Sequence, residues 1–467
     1  MKHYPKYRCS SCDWLQSIPE EWSTKRIKSL FRLRDERSYK PLSEVNLISL
    51  YAGLGVRQQK DIERTTGNKA RNADGYKIVY KNDIVVNILL CWMGAIGSSD
   101  YYGVTSPAYD VYKAIVDLNT KYYSYLFRTP FFSRQCYRNG KGIMAMRLRT
   151  YSPQFLSIVV PFPPRSEQDQ IVKFLDWKVS CINKLISNYR NQIEDLEEMK
   201  LNRIDEVVIH GMQDKTLIHS EGIQWDIDYP KHWKLQRIKE SFNFRKGLTI
   251  TKENLEDTGV AVINYGQVHS KSNFGVGLNE TLIKYVNHSY LNSSPSCIVE
   301  KGDFIFADTS EDITGCGNCA YIDWDEKIFA GYHTIIAHPN SFDNSNYLAY
   351  LFLSPSWRYQ IRRRVNGVKV FSITQKMLKN VYILIPPVKE QNEIVRYLDD
   401  LCSKINIVIT NVKEKISNLE ELKNNLIADV VIGKIDVRNI EIPEYEFVEE
   451  ETDSDVTDSE NEEGSEE

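Results

Sequence analysis

The sequence predicts an α+β protein with a pseudo-twofold internal repeat, in which two α/β globular blocks are separated by two long helices that pair as a coiled coil. Three observations carry this expectation. Two stretches of the chain repeat each other at nearly constant offsets, an apolar stripe at helical spacing follows each copy, and β-branched and aromatic runs bounded by turn residues fill the rest. At ~100 to 200 residues per domain, 467 residues suit two to four domains.

The repeat begins near the N-terminus. Trp14, Pro19, Trp22, Arg26, Ile27, Lys28 and Phe31 recur 211 positions later as Trp225, Pro230, Trp233, Arg237, Ile238, Lys239 and Phe242. At an offset of 223, Pro163-Pro164-x-x-Glu167-Gln168-x-x-Ile171-Val172 recurs as Pro386-Pro387-x-x-Glu390-Gln391-x-x-Ile394-Val395, so the second copy holds 12 more residues between its markers. The expected boundaries are 1–162 for the first block, 163–212 for the first helix, 213–385 for the second block, 386–438 for the second helix and 439–467 for an acidic tail.

Within the blocks, Lys77–Leu90, Val260–Tyr265, Cys297–Ala307 and Phe329–His338 read as strands, while Tyr122–Arg128 and Tyr347–Leu353 read as short helices ending before Pro130 and Pro355. Each double proline marks a junction, because the residue before a proline avoids helical geometry while a proline can open a helix. Beyond it, Ile182, Leu185, Tyr189, Ile193, Leu196 and Met199 form one stripe, and Ile405, Val408, Val412, Ile416, Leu419 and Leu422 form another in the same register. About 40 unbroken helical residues would extend ~60 Å, and the simplest partner for one stripe is the other. The consecutive four-residue steps at Tyr189 and Val412 should loosen the supercoil there.

Charge is unevenly placed. The formal net charge is −4, yet Glu441 to Glu467 holds 14 acidic residues and no lysine or arginine, leaving 59 basic against 49 acidic residues in the body. A cationic body suits a polyanionic partner, and the tail's dense like charge predicts disorder. It would either solubilise the chain or compete with DNA for basic grooves. Apolar runs fall short of the ~20 residues a membrane span needs, no secretory signal is visible, and the nine cysteines are odd in number, so a cytoplasmic protein with reduced thiols is expected. Two CxxC pairs, Cys9/Cys12 and Cys316/Cys319, lie too far apart in sequence and in too unlike contexts for a shared zinc site to be expected.

Catalytic signatures are missing. There is no GxxxxGK[ST] loop, HExxH, GxSxG or Asp/Asn-Pro-Pro-aromatic turn, so neither ATP hydrolysis nor self-contained methylation is expected. Asp308, Glu311 and Asp312 would suit a metal-dependent nuclease, but beside Ser310 and Gly315 a loop or cap role is preferred. Basic residues instead recur at matching places: Arg134, Arg138, Lys141, Arg147 and Arg149 before the first double proline, and Arg358, Arg362, Arg363, Arg364 and Lys369 before the second. Arginine suits phosphate clamping and bidentate contact with guanine edges, so these groups are the expected DNA-binding residues.

The duplicated Trp-x(4)-Pro-x-x-Trp segments, the twin Pro-Pro-x-x-Glu-Gln junctions and helices ending in Val431-Ile432-Gly433-Lys434-Ile435-Asp436 resemble the DNA-specificity subunits of type I restriction-modification systems. Trp92-Met93-Gly94-Ala95, Ser106-Pro107-Ala108-Tyr109, Tyr265-Gly266-Gln267 and Lys301-Gly302-Asp303 are similar to segments of that family's target-recognition domains, and the resemblance adds Gln267 to the DNA-binding candidates. It implies two target-recognition domains held apart by an antiparallel helix pair, each reading one half of a bipartite, asymmetric site in double-stranded DNA. It further implies a non-catalytic subunit with no cofactor or metal of its own. Such a subunit docks two methyltransferase subunits, which use S-adenosylmethionine, and through them restriction subunits acting as translocase and nuclease with ATP and Mg. The competing expectation is a non-catalytic coiled-coil adaptor whose globular blocks bind a ligand other than DNA.

Overall fold

The computed structural model describes residues 2–51, 55–58, 74–142, 148–213, 216–340, 345–367 and 370–449. The chain divides into two compact units, residues 1–191 with 413–467, and residues 192–412. Each contains a four-stranded antiparallel sheet of the same topology. In the first unit, β1 (Phe31–Arg34), β2 (Ile84–Asn87), β3 (Ile96–Ser98) and β4 (Tyr109–Ala114) stand in the order β3-β2-β4-β1. In the second, β5 (Phe242–Lys246), β6 (Phe304–Ala307), β7 (Cys319–Tyr321) and β8 (Thr334–Pro339) stand in the order β7-β6-β8-β5. Register is duplicated too: Tyr109 faces Asn87 as Thr334 faces Ala307, and Ala114 faces Phe31 as Pro339 faces Phe242.

Three of the segments expected as single strands are each two strands parted by a turn. Lys77–Leu90 contains Tyr76–Val79 and β2, separated where Asn82 takes φ 68° and the Asp83 carboxylate accepts the Tyr80 amide at 2.9 Å. Cys297–Ala307 contains Ile298–Val299 and β6, with Asp303 accepting the Glu300 amide at 3.0 Å. Phe329–His338 contains Ile328–Ala330 and β8, broken at His333, whose φ is 55°. The two buried aspartates are equivalent. Arg34 of β1 reaches Asp83 at 2.9 Å, and Arg245 of β5 reaches Asp303 at 3.6 Å, so each sheet carries the same tie between its first and second strands.

Each fourth strand is followed by three short helices and a long one, the third short helix being Ser152–Ser157 in one copy and Gln375–Lys379 in the other. The first two and the long one are α1 (Thr120–Phe127), α2 (Pro130–Asn139) and α3 (Arg165–His210) in one copy, and α4 (Ser345–Leu353), α5 (Pro355–Arg362) and α6 (Val388–Val431) in the other. Pro130 and Pro355 do not merely end the preceding helix. Each sits in the first turn of the next one, behind a hydroxyl cap in which Thr129 accepts the Phe132 amide at 3.3 Å and Ser354 accepts the Trp357 amide at 3.1 Å. The Pro-Pro-x-x-Glu-Gln motif closes its own junction, since Gln168 donates to the Pro163 carbonyl and Gln391 to the Pro386 carbonyl, both at 2.8 Å.

The long helices have 46 and 44 residues, or roughly 70 Å at 1.5 Å per residue. The core of the first unit includes Ile171, Phe174 and Leu175 from the start of α3, Val430 and Val431 from the end of α6 and Ile432 just past it. That of the second unit includes Ile204, Val207, Val208 and Ile209 from the end of α3 and Ile394 and Leu398 from the start of α6. Within each unit the helical segments run antiparallel. Lys423 lies level with Asn183 (3.4 Å) in the first, and Lys200 with Asn406 (3.1 Å) in the second. Both helices end on a left-handed glycine, Gly211 at φ 80° and Gly433 at φ 77°. An indole closes over each: a Cβ on Gly211 would lie 3.1 Å from Trp233, and one on Gly433 would lie 3.0 Å from Trp22.

The apolar stripes differ from expectation at two positions in each helix, since Met199 and Leu422 at their ends are 51% and 55% exposed. Leu185 and Val408 are 40% and 42% exposed, whereas their neighbours Ile186 and Ile409 are each 6% exposed. The remaining expected residues, Ile182, Tyr189, Ile193, Leu196, Ile405, Val412, Ile416 and Leu419, are buried or half-buried. Adjacent apolar residues point ~100° apart on a helix, and spacing alone did not choose between them. With Ile186 and Ile409 the steps alternate four and three, so no loosening of the supercoil at Tyr189 or Val412 is required.

The acidic tail is also corrected in part. Residues 439–449, expected to be disordered, lie against the first unit, where Gln170 donates to the Ile440 carbonyl at 2.8 Å, Asn183 to the Val448 carbonyl at 3.2 Å, and Lys184 pairs with Glu446 at 2.8 Å. Ile440 and Ile442 pack on the first core, and it is these interleaved apolar residues that a reading based on charge density overlooked. Residues 450–467 lie outside the described residues. No helix among the described residues is long and apolar enough to cross a membrane.

The corrected stripe makes a paired prediction. Ile186→Ala and Ile409→Ala each lower unfolding stability by about 2–4 kcal/mol, while Leu185→Ala and Val408→Ala each cost under ~1 kcal/mol, as read from denaturant unfolding of the full chain.

Candidate nucleic-acid interface

Beyond α2 the chain passes through Lys141–Arg149 and returns to the sheet, where the Thr150 amide donates to the Ile88 carbonyl at 2.9 Å. Beyond α5 it passes through Arg363–Val370 and returns in the same way, the Ile373 amide donating to the Asp308 carbonyl at 2.7 Å. Ile88 and Asp308 are the first residues past β2 and β6. Both basic segments therefore spring from the same end of equivalent sheets. In the first block the segment is closed at its base by two amide bonds of 2.9 Å exchanged between Lys141 and Arg149. In the second, Phe371–Ser372 pairs with Thr309–Ser310.

The expected DNA-binding residues occupy these places unequally. Arg134 and Arg138 are exposed on α2, and Lys141 and Arg149 are exposed at the loop base. Arg147 and Lys369 lie outside the described residues. The arginine run of the second block is more deeply engaged than its sequence suggested. Arg362 donates to the Thr314 carbonyl, Arg364 donates twice to the Gln224 side chain at 3.1 and 3.3 Å, and exposed Arg363 lies over the Tyr359 ring at 5.3 Å. Arg358 sits below them, donating to the Phe352 carbonyl at 2.8 Å, and burial pulls its pKa down to about 10. Burial also lowers Arg362 and Arg364.

Among the described residues none of these four arginines has a carboxylate ion-pair partner. Their neutral carbonyl and amide partners orient them, Asp312 offsets only part of the Arg362 charge from a distance, and a partly desolvated guanidinium without an ion pair favours an arriving anion such as a phosphate. Gln267 is likewise partly committed. Its carbonyl oxygen accepts the Asn264 amide at 3.1 Å, closing a capping turn and leaving only the amide end for another partner.

The carboxylates that a metal site would have needed are used locally. Asp312 accepts the Gly315 amide at 2.7 Å together with the Thr314 hydroxyl, bonds that hold its carboxyl below the usual range. Asp308 accepts from the Thr309 hydroxyl at 2.8 Å and lies 3.2 Å from His333 Nδ1. Among the described residues no group of three or more His, Cys, Asp or Glu is placed to hold a metal ion. All nine cysteines are free thiols.

Sequence reasoning missed the aromatic and histidine cluster at this same sheet end. Tyr265, from the turn after Val260–Ile263, meets His333 edge-on at 5.5 Å and Tyr332 at 5.6 Å. His333 and Tyr332 lie 68 and 67 positions from Tyr265, so although Tyr265-Gly266-Gln267 stood out in the sequence, nothing local linked it to them.

A family model for the type I restriction modification DNA specificity domain matches the chain twice, over residues 19–195 and 230–418. The chain is 24% identical over 432 residues to the type I restriction enzyme MjaVIII specificity subunit of Methanocaldococcus jannaschii, covering 91% of this chain and 95% of that one. It is 24% identical over 293 residues to the type I restriction enzyme EcoKI specificity subunit of Escherichia coli K12, covering 60% and 58%. A chain in a solved structure concerned with complex assembly and conformational transition of the type I R-M system shares the fold with a TM-score of 0.60, at 16% identity over 90% of this chain and 99% of that one. Two domain matches spanning most of the chain, on duplicated sheets that each carry a basic segment at the same end, establish that it belongs to the type I restriction-modification DNA-specificity subunits, which select the site and are not themselves the enzyme.

Proposed function

We propose that this specificity subunit reads a bipartite, asymmetric site in double-stranded DNA, one half-site per block, at the sheet ends from which the basic segments spring. The observation that carries this is the paired placement of those segments: the Thr150–Ile88 and Ile373–Asp308 amide bonds fix them to equivalent positions of two sheets. Backbone phosphates neutralised by exposed arginine and lysine give affinity and register, and base edges give selectivity. In this reading Arg134, Arg138, Lys141, Arg147, Arg149, Arg363 and Lys369 supply the electrostatic contact, while Arg362 and Arg364 shape the loop as well as charging it.

The long helices act as a ruler between half-sites. A seven-residue insertion at facing levels of both helices preserves the heptad and adds ~10 Å, about three base-pair steps. Co-expression with a cognate methyltransferase subunit, followed by methylation mapping of host DNA, should give a two-part motif whose spacer grows by about three base pairs in the insertion variant while both half-sites stay the same. An unchanged spacer counts against the ruler, and the absence of any two-part motif counts against the reading itself.

The helices also present the docking sites. Leu185 and Leu422, 40% and 55% exposed, stand at one level of the helical segments of the first unit, and their repeat equivalents Val408 and Met199, 42% and 51% exposed, stand at one level in the second. Two equivalent apolar patches, each with one residue from either helix, suit two copies of one partner, the methyltransferase subunits. These in turn carry restriction subunits, with S-adenosylmethionine, ATP and Mg held by the partners. Replacing Leu185 and Leu422 with glutamate should remove one methyltransferase subunit, and replacing Met199 and Val408 as well should remove both, with affinity at each patch falling about tenfold or more. Native mass spectrometry of the co-purified complex reads this stoichiometry directly.

A further inference from the structure

We propose that Asp308 and His333, backed by Tyr265, form the base-reading edge of the second block and select a base carrying an exocyclic amino group in the major groove. This rests on the reading of the chain as a DNA-specificity subunit and names the side chains that would discriminate one half-site.

The two residues meet at the sheet end already reached by the basic segment. Asp308 is the first residue past β6 and His333 the last before β8, and the Asp308 amide donates to the His333 carbonyl at 3.0 Å. Their side chains meet as well, with Nδ1 of His333 3.2 Å from Oδ1 of Asp308. Both remain open to solvent, the imidazole 59% and the carboxylate 34% exposed. A histidine in left-handed geometry, φ 55°, persists where the surroundings fix it, and such residues gather at functional sites.

The surroundings do fix it. Tyr265 packs edge-on against His333 and also against His269, whose Nε2 is held by the Thr309 carbonyl at 2.8 Å. Fully buried Asn264 accepts the Tyr332 amide at 3.1 Å, and among the described residues its side-chain Nδ2 has no hydrogen-bond partner. Beside the pair, exposed Gly266 has no atom within 4 Å of the place a Cβ would fill, so this edge is open to close approach.

In the tautomer whose Nδ1–H donates to Asp308, Nε2 is an acceptor, and Oδ2 of Asp308 is a second acceptor beside it. In the major groove, acceptors are matched by the amino groups of adenine N6 and cytosine N4, and repelled by the keto oxygens of guanine and thymine. The first block carries no carboxylate or imidazole at the two equivalent positions. Its equivalent positions, given by the shared register of β4 and β8, are Ile88 and Ala108. The two blocks thus present different chemistry at the same place.

The test is methylation mapping in cells that express the full chain with its methyltransferase partner, comparing the parent with Asp308→Asn and His333→Asn. Asparagine accepts left-handed geometry, so the second variant keeps the turn, and assembly and melting midpoint of each complex are measured alongside. Asp308→Asn exchanges an acceptor for a donor and is expected to replace or relax one or two positions of one half-site, with the other half-site and the spacer intact. His333→Asn is expected to relax the same positions. Loss of methylation in a complex of unchanged assembly and melting midpoint also supports the proposal. An unchanged motif in both variants overturns it, as do changes in both half-sites together or lost methylation accompanied by a lowered melting midpoint in both. A parent complex that yields no two-part motif would instead refute the specificity-subunit reading on which the proposal stands.

Discussion

The largest hydrophobic core of each unit is completed by the start of one long helix and the end of the other. In the first unit Ile171, Phe174 and Leu175 open α3, while Val430 and Val431 close α6 with Ile432 just past it. In the second, Ile394 and Leu398 open α6, while Val207, Val208 and Ile209 close α3. At ~1.5–3 kcal/mol for each fully buried aliphatic side chain, three such residues at a helix end are worth several kcal/mol, comparable to the whole net stability of a domain. Neither block can bury its core with contiguous sequence alone. Both helices must therefore run their full length, and Trp22 and Trp233 seal the arriving ends at glycines whose left-handed backbone turns the chain off the helix axis.

This constraint explains which parts of the fold were legible. Markers that complete the cores recur because both copies need them: the Trp-Pro-Trp segments, the double prolines with their self-capping glutamines and the Val-Val-Ile helix ends. The stripe between them was legible in period but not in phase. Leu185-Ile186 and Val408-Ile409 offer two apolar residues at adjacent positions, and burial falls on the β-branched residue that keeps the alternation of four and three. The prolines after the first short helices were read as terminators because a proline stops a helix. Their second effect, opening the next helix behind Thr129 or Ser354, depends on a hydroxyl cap that spacing does not emphasise.

The interface was legible in charge and illegible in geometry. A basic run marks a surface wherever the chain returns to the sheet, so Arg134 to Arg149 and Arg362 to Lys369 could be paired across the repeat. Which guanidinium is free is set by contacts such as Arg364 with Gln224, 140 positions away, and these leave no local pattern. The acidic tail shows the same limit from the other side: its like charge predicted disorder, yet Ile440 and Ile442 find the first core and two glutamine and asparagine amides hold its backbone.

Duplication separates what the frame requires from what selectivity requires. Arg34 with Asp83 and Arg245 with Asp303 keep the same tie between first and second strands in both copies, and both basic segments hang from the same backbone carbonyl position. At that same sheet end the side chains part company: Ile88 and Ala108 in one copy, Asp308 and His333 in the other. The frame is held by buried ion ties and strand register that do not involve the side chains of Asp308 and His333. Side chains there differ between the blocks while the fold is kept, and in the proposed reading that difference is what would let a nearly symmetric scaffold read an asymmetric site.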